Sequence, residues 1–559
     1  MPAKIEKHFK NNMEHYLSTL QRTVREHWDD LAVCNYRGEQ FTYGELATNI
    51  EKFHIFFDKI GVKKGQKIAL CARNSARWAT TFLAVNTYEA VVVPLLSDFL
   101  PENVSSLTHH SESVILFTDK EIWDKMDPSA TPEIKCVFNN NDYTILYCKD
   151  PAIKEVYDNL QEAFNAKYPM GYGRANVNYP SDNGKDLAVI NYTSGTTSAP
   201  KGVMLRYESI ATSVDFAIRH IPAGPKDNIV SMLPMGHIYG MVFEFIYPLV
   251  HGVTVYYLGK APAASTLLKA MGEVKPYIVI TVPLVMEKIY KSSIKPALSK
   301  WYMKILLAIP GVNTLLYKAV TNKLIKTFGG NVQQFIMGGA ALNPDVEKAF
   351  KKMRLPYTVG YGMTEAAPLL AYSWPWTYVP GSCGKKVDSA DVRIDSEDPE
   401  HIAGEIQAKG ANICSGYFNN PEASAGAFTE DGYLHTGDLG VMDKDGNIFI
   451  RGRSKNMILS ANGQNIYPEE VEAVVNAQNF VAESVVVDRA SKLVALVYLD
   501  TDAIKKAGLD AEEISDIPEQ IRKASNKLLP AYSQIAKVEV VVEPFEKTPK
   551  MSIKRFLYK

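Results

Sequence analysis

The chain has 559 residues, 46% of them hydrophobic and 22% charged, an ordinary globular composition that can bury large cores. At roughly 100–200 residues per domain this length corresponds to about three to five folding units, some of them merged. The formal net charge is −1, which leaves no electrostatic footprint for nucleic acid and no strong field toward a membrane surface. Cys34, Cys71, Cys136, Cys148, Cys383 and Cys414 are scattered without a C-x-x-C pair, so neither structural disulfides nor a zinc site is expected. The polar stretch 1–12 lacks the apolar core of a signal peptide, and no run reaches the roughly 20 apolar residues of a spanning helix. The chain reads as a soluble, cytoplasmic protein, with a peripheral position on the inner membrane face as the alternative.

Residues 13–60 read as helices around a short strand pair, Leu31-Ala32-Val33-Cys34 and Phe41-Thr42, which flanks Arg37-Gly38. Tyr43-Gly44-Glu45-Leu46 opens an amphipathic helix running to about residue 60, and 63–66 turn into the strand 67–71. Helix 77–88 and strand 91–95 follow, then short buried strands at 115–117 and 136–138. Strands alternating with helical patterns predict βαβ units around a parallel sheet. The stretch 168–186, rich in Tyr, Gly, Asn and Pro, reads as a loop.

Two apolar runs, Leu187-Ala188-Val189-Ile190 and Val203-Met204-Leu205, read as strands joined by Tyr192-Thr193-Ser194-Gly195-Thr196-Thr197-Ser198-Ala199-Pro200-Lys201-Gly202. Glycine lets backbone N–H groups turn toward a ligand, and the hydroxyls add further donors. Lys201 supplies a mobile charge, so the inventory suits a polyphosphate. The spacing is not that of G-x-x-x-x-G-K-[ST], and an ordinary Ser/Thr/Gly hairpin loop is the plain alternative.

Beyond it, a strand 229–233 ends in Pro234-Met235-Gly236-His237-Ile238-Tyr239-Gly240, followed by helix 243–250 and strand 254–258. Strand 275–282 and helix 284–292 precede an amphipathic helical insertion over 293–330 that includes Trp301-Tyr302-Met303-Lys304-Ile305-Leu306-Leu307. Its apolar residues read as core-facing, with contact to a membrane as the alternative. Strand 334–337 runs into Gly338-Gly339-Ala340-Ala341-Leu342, and Asn343-Pro344-Asp345 starts the next helix. Near Arg451 the composition changes. A compact α/β pattern follows, with helix 468–478, strands 482–487 and 494–499, helical residues to about 529, and strand 537–542. The boundaries are placed at 1–451, a connector 452–455, and 456–559.

Three further stretches carry chemistry. In Thr358-Val359-Gly360-Tyr361-Gly362-Met363-Thr364-Glu365 a glycine-flanked aromatic can offer a flat face to a purine, and Thr364 can donate to a phosphate oxygen. Glu365 is a hard oxygen ligand suited to Mg²⁺, which takes one or two protein oxygens plus substrate phosphates. In Asp431-Gly432-Tyr433-Leu434-His435-Thr436-Gly437-Asp438 an aspartate between glycines can accept from a ribose diol, or simply close an Asx turn. Arg451-Gly452-Arg453-Ser454-Lys455 places cations at the change of composition.

The stretch from Tyr192 to Val203 resembles the phosphate-binding signature of the adenylate-forming superfamily: acyl-CoA synthetases, luciferases and peptide-synthetase adenylation domains. The other motifs follow in that family's order, from Tyr43-Gly44-Glu45-Leu46 to Arg555. The resemblance implies an α/β fold, with a large N-terminal domain of two stacked α/β sheets plus a distorted β-barrel around 370–445 and a small, mobile α+β C-terminal domain. It implies nucleotide binding by Thr193, Ser194, Gly195, Thr196, Thr197, Lys201, Gly339, Ala340, Ala341, Tyr361, Gly362, Met363, Thr364, Asp438 and Arg453. It further implies Mg²⁺ near Thr193 and Glu365, an acyl or thiol tunnel at His237 and Gly338, and a hinge at Gly452 to Lys455. The insertion, with Phe328-Gly329-Gly330-Asn331-Val332 after it, resembles the long-chain fatty acyl-CoA synthetase branch. ATP, Mg²⁺ and coenzyme A are then the expected cofactors, a fatty acid the substrate, and Thr364 with a small-domain lysine the expected catalytic groups.

Two departures stand out. A basic residue is common in the family two positions after the glycine of Asn462-Gly463, where this chain has Asn465. In the terminal Glu546-Lys547-Thr548-Pro549-Lys550-Met551-Ser552-Ile553-Lys554-Arg555, Ser552 stands where relatives carry a lysine that bridges carboxylate and α-phosphate. If the segment is extended, residues 550, 552 and 554 share a face, so Lys550 or Lys554 is expected to stand in. Transfer to a carrier protein, arrest at acyl-AMP, or an adenylation-impaired binding protein are the alternatives.

Overall fold

Runs such as Val91–Pro94 and Cys136–Asn139, buried at every residue, belong in a sheet covered on both faces. In the computed structural model, which describes residues 14–193, 200–259, 264–459, 465–489, 492–547 and 553–558, they lie in a seven-stranded sheet. Its order is Ile145–Cys148, Cys136–Asn139, Ser113–Thr118, Lys67–Cys71, Val91–Pro94, Leu187–Thr193, Lys201–Arg206. The inner strands run parallel, and one antiparallel strand closes each edge. A second parallel group holds Asn228–Ser231, Thr254–Tyr257 and Leu31–Asn35, with Gln40–Thr42 antiparallel at its edge. Ile278–Thr281, Gln334–Met337 and Tyr357–Val359 form a third group. The Tyr277 N–H donates to the Asn228 carbonyl at 2.9 Å, joining the third group to the second.

Antiparallel strands follow: Tyr361–Gly362, Leu369–Tyr372 and Lys385–Lys386, then Ala390–Asp395, Gly404–Gly410, Leu434–Met442 and Ile448–Arg453. A bridge between Lys385 and Asn447 connects the two sets, so the region read as a distorted β-barrel around 370–445 consists, among the described residues, of two antiparallel sheets linked at that bridge. The small C-terminal domain has its own core of Ile466, Val471, Val475, Val486, Ile517, Ile521 and Val538. Ile466 comes from a short strand pair, Val486 and Val538 from the three-stranded sheet, and the others from the helices Pro468–Asn476 and Ala511–Asn526. The whole is the fold of a large N-terminal and a small C-terminal α/β domain. No helix among the described residues is long and apolar enough to cross a membrane.

Local chemistry explains most element starts. Thr42 and Glu45 cap each other's backbone N–H groups at 3.1 and 2.8 Å, which starts the helix Tyr43–Lys59. Asn343 accepts from the Asp345 and Val346 N–H groups ahead of Pro344–Met353. Several expectations need correction. The helix read at 243–250 begins at Ile238 and widens into a π-type stretch over Met241–Ile246. Pro248 has no N–H to donate four residues back, and the same widening over Tyr290–Ile294 precedes Pro296. The strand read from 275 starts only at Ile278, because Lys275 holds a positive φ of 54° before Pro276. In the insertion, Val312–Thr327 buries Thr321 and Leu324, but Trp301–Ala308 buries nothing, so the core-facing expectation fails for that helix.

Candidate active site

The hairpin Leu187–Thr193 and Lys201–Arg206 ends with Thr193 opposite Lys201. Ser194, Gly195, Thr196 and Thr197 lie outside the described residues, so the loop is known here by its two anchors. Tyr192 shares a 2.7 Å hydrogen bond with Nδ1 of His110, and the Thr193 hydroxyl donates to the Lys201 carbonyl at 3.5 Å. The far side of Lys201–Arg206 carries the chain at 415–418. There the Ser415 N–H donates to Met204 at 3.0 Å, and the Phe418 N–H to Gly202 at 2.8 Å. This docking places the Lys201 ammonium 4.9 Å above the Tyr417 ring, while the Tyr417 hydroxyl donates to Oε1 of Glu365 at 3.0 Å. One aromatic residue thus links the loop's cation to the carboxylate of another motif. Tyr417 is the residue the sequence reading did not single out. Its signal was the Gly416-Tyr417-Phe418 string, but the role comes from pairing across more than two hundred residues.

Tyr361 follows the parallel strand Tyr357–Val359, and the Gly360 N–H donates to the Met337 carbonyl at 2.8 Å. Position 362 requires glycine, since a Cβ there would lie 1.8 Å from the Pro368 carbonyl oxygen. The Met363 N–H donates to that carbonyl at 2.8 Å. Thr364 and Glu365 then sit, buried, in one tight turn. Tyr361 is buried too, and its hydroxyl donates to Oδ2 of Asp438 at 2.8 Å. Arg453 pairs with the other oxygen at 2.7 Å, because Asp438 and Arg453 face each other across Leu434–Met442 and Ile448–Arg453.

Burial raises the Asp438 carboxyl above the usual aspartate range, against the Arg453 guanidinium and the Tyr361 hydroxyl, with the Glu469 and Glu365 carboxylates pushing the same way as burial. That influence of Glu365 joins the Lys201–Tyr417–Glu365 line to the Tyr361–Asp438–Arg453 group in one field. A carboxylate has about four lone-pair sites, so Asp438 keeps acceptor capacity beyond its two donors.

Gly339, Ala340 and Ala341 are exposed just beyond the C-terminal end of the parallel strand Gln334–Met337, the end at which open α/β sheets bind ligands. Gly338 is buried against Tyr239, where a Cβ would come within 3.1 Å of the ring. His237 accepts from the Tyr239 N–H at 3.2 Å and starts the turn Ile238–Gly240. The Tyr239 hydroxyl donates toward the Thr281 and Ile336 carbonyls, both at 3.4 Å. His237 and Gly338 therefore meet around one tyrosine. Glu244 has no motif to announce it. It is fully buried and accepts from the Ser231 hydroxyl and the Met232 and Leu233 N–H groups at 3.1, 2.9 and 2.8 Å, and burial raises its carboxyl well above the ordinary range.

At the connector, a Cβ on Gly452 would lie 2.7 Å from Oε2 of Glu469. Asn456 holds the other oxygen of Glu469 at 2.7 Å, and Arg451 donates to Glu470 at 3.2 Å. Lys455 lies exposed in the turn Ser454–Asn456. In the terminal segment Lys547 pairs antiparallel with Ile553. The Lys554 ammonium is held by Glu546 at 3.1 Å, Lys547 pairs with Glu483, and Arg555 pairs with Glu472. Lys550 and Ser552 lie outside the described residues.

The family model of the AMP-binding enzymes matches residues 20–418, and that of the AMP-binding enzyme C-terminal domain matches 455–558. Long-chain-fatty-acid–CoA ligase 4 of Saccharomyces cerevisiae is 28% identical over 84% of this chain and 71% of its own. Long-chain-fatty-acid–CoA ligase FadD15 of Mycobacterium bovis is 26% identical over 96% and 91%. Among solved structures, the anthranilate CoA ligase AuaEII in complex with anthranoyl-AMP superposes with a TM-score of 0.78 at 19% identity, over 98% of this chain and 97% of that one; this likeness speaks to the fold.

Proposed function

The chain belongs to the AMP-binding enzyme family, and on that premise we propose that it is an ATP-dependent, AMP-forming ligase that joins a long-chain fatty acid to coenzyme A. The observation that carries the reading is Asp438, held between Tyr361 and Arg453 with acceptor capacity to spare, beside the line Lys201–Tyr417–Glu365. The first group suits a ribose diol and the second a polyphosphate. The relatives named for long-chain acids support the choice of acid.

In the proposed reaction the fatty carboxylate attacks the α-phosphorus of ATP, forming the acyl–phosphate bond of acyl-AMP as pyrophosphate leaves. The coenzyme A thiol then attacks the acyl carbon, forming the thioester and releasing AMP. Lys201 and the loop donors balance the charge of the triphosphate, and Thr364 donates to a phosphate oxygen. Asp438 and Arg453 fix the nucleoside. No group of three His, Cys, Asp or Glu side chains able to hold a metal is present among the described residues. Glu365, a single buried carboxylate linked through Tyr417 to Lys201, fits Mg²⁺, which takes few protein oxygens and fills its octahedron with phosphate and water. When bound there, with Thr193, the ion would supply charge neutralisation. The turn at Gly452 to Lys455 is the proposed pivot that exchanges the terminal segment for the thiol path.

Of the two candidate lysines, Lys550 is the proposed replacement for the one expected at Ser552, because Glu546 occupies Lys554. The deciding experiment measures AMP and pyrophosphate release with ATP and fatty acids of graded length, with and without coenzyme A. Acyl-CoA should be the product, Lys550→Ala should slow pyrophosphate release by at least tenfold, and Lys554→Ala should not. Release of acyl-AMP alone, or tight ATP binding without AMP, would overturn the ligase in favour of a carrier-protein or binding role. Unchanged pyrophosphate release in Lys550→Ala would remove the stand-in and leave the ligase.

A further inference from the structure

The insertion helix Trp301–Ala308 buries no side chain. Trp301, Tyr302, Ile305, Leu306 and Ile309 are all exposed, Trp301 at 75% and Ile305 at 58%. Their spacing of one, four, five and eight residues from Trp301 puts them within one arc of the helix, whereas the half-buried Met303 and Leu307 lie on the other side. A turn through Gly311, with a φ of 85°, brings in Leu315, exposed at 70%. Such a stripe is the wrong face to leave in water, and no element among the described residues covers it.

The charges around it are of one sign. Between positions 288 and 330 there are eight lysines, at 288, 291, 295, 300, 304, 318, 323 and 326, and no aspartate, glutamate or arginine. All eight are exposed. The near-zero net charge of the chain conceals this local segregation. We propose that this face is a docking surface for an anionic phospholipid bilayer, with Trp301–Ala308 lying in the interfacial plane. Trp301 and Tyr302 are residues whose rings suit the headgroup boundary. The lysine stems can lie along the apolar surface while their ammonium groups reach lipid phosphates. A second copy of the chain is the poorer occupant, because a two-fold contact would bring the lysines of both copies to the same interface. The inference rests on this face alone and is independent of which acid the site takes.

The test is flotation of the full-length protein with vesicles of phosphatidylcholine, and with vesicles in which one lipid in three is phosphatidylglycerol. Binding to the anionic vesicles should be stronger by roughly tenfold or more and should weaken as salt is raised. Trp301→Ser with Ile305→Ser should lower binding by roughly tenfold on both vesicle types. Lys300→Ser and Lys304→Ser should each cost about fivefold on anionic vesicles only. None of these side chains is buried, so melting temperatures should not move, which separates lost docking from lost folding. Equal binding to both vesicles, or binding indifferent to the Trp301/Ile305 pair, would overturn the proposal. So would lipid-free dimerisation, measured by sedimentation velocity and abolished by the same pair, which would give the face to a second copy.

Discussion

Asp438 satisfies two protein donors while remaining able to accept from a ligand, and its raised pKa measures what that costs. Because burial lifts the folded pKa above the unfolded one, the native state keeps the proton to higher pH. Stability therefore falls as pH rises from the ordinary aspartate value through the raised one, and the penalty is constant above it. Asp438→Asn keeps the shape, an oxygen for Arg453 and a partner for Tyr361, and removes the buried charge. Its melting temperature at neutral pH should match or exceed that of the parent. ATP affinity should fall by about 10- to 100-fold, the worth of one charged acceptor at roughly 1.5–3 kcal/mol. Calorimetric titration with ATP checks this, and an unchanged dissociation constant would remove Asp438 from the nucleotide site. At this scale the motif strings drew attention to Glu365, Asp438 and Arg453, and the structure brings Asp438 and Arg453 into one pair, while their part in binding a nucleotide stays a proposal. Tyr417 and Glu244 act through partners supplied by folding, and no local string announces such partners.

Among elements, the helix Pro468–Asn476 and the terminal segment depend on each other. Glu472 on that helix accepts from the Val486 N–H at 2.5 Å and pairs with Arg555. Burial outweighs the guanidinium and pushes the Glu472 carboxyl up to about 7. A folded value above the unfolded one means that this pair loses stability as pH climbs from about 4.5 to 7. Arg555→Ala would leave a buried carboxylate unpaired, at a cost of about 3–5 kcal/mol to the C-terminal domain above pH 7. Below pH 6 the carboxyl is neutral, and the cost should shrink. Adding Glu472→Gln should restore most of the loss. Differential scanning calorimetry across that pH range tests all three outcomes, and a pH-independent loss would assign Arg555 to packing instead.

Element boundaries show where sequence reading stops. Caps are local, so the helices begun by Thr42 with Glu45 and by Asn343 with Pro344 were legible at their starts. The π-type stretches before Pro248 and Pro296 were not, since the prolines mark a missing donor without saying how the chain absorbs it. Periodicity places Trp301 and Ile305 on one stripe but does not say whether another element covers that stripe.

For the whole molecule, the cores predict how the two domains respond to ligand. The C-terminal core, from Ile466 to Val538, is separate from the clusters of the large domain, and among the described residues the connector contacts are polar: Arg451 with Glu470 and Asn456 with Glu469. Polar contacts of this kind hold domains together weakly. Two cores so joined should unfold in two calorimetric transitions. Tyr361, Asp438, Lys201 and Glu365 all belong to the large domain, so ATP with Mg²⁺ should raise that domain's transition. At a hundredfold excess over the dissociation constant the gain is about 2.7 kcal/mol. The C-terminal transition should move less, and Arg555→Ala should lower it alone. If a single transition shifted as a unit with nucleotide and with Arg555→Ala alike, the domains would be one cooperative body. The pivot proposed at Gly452 to Lys455 would then have to break core packing rather than a few polar contacts.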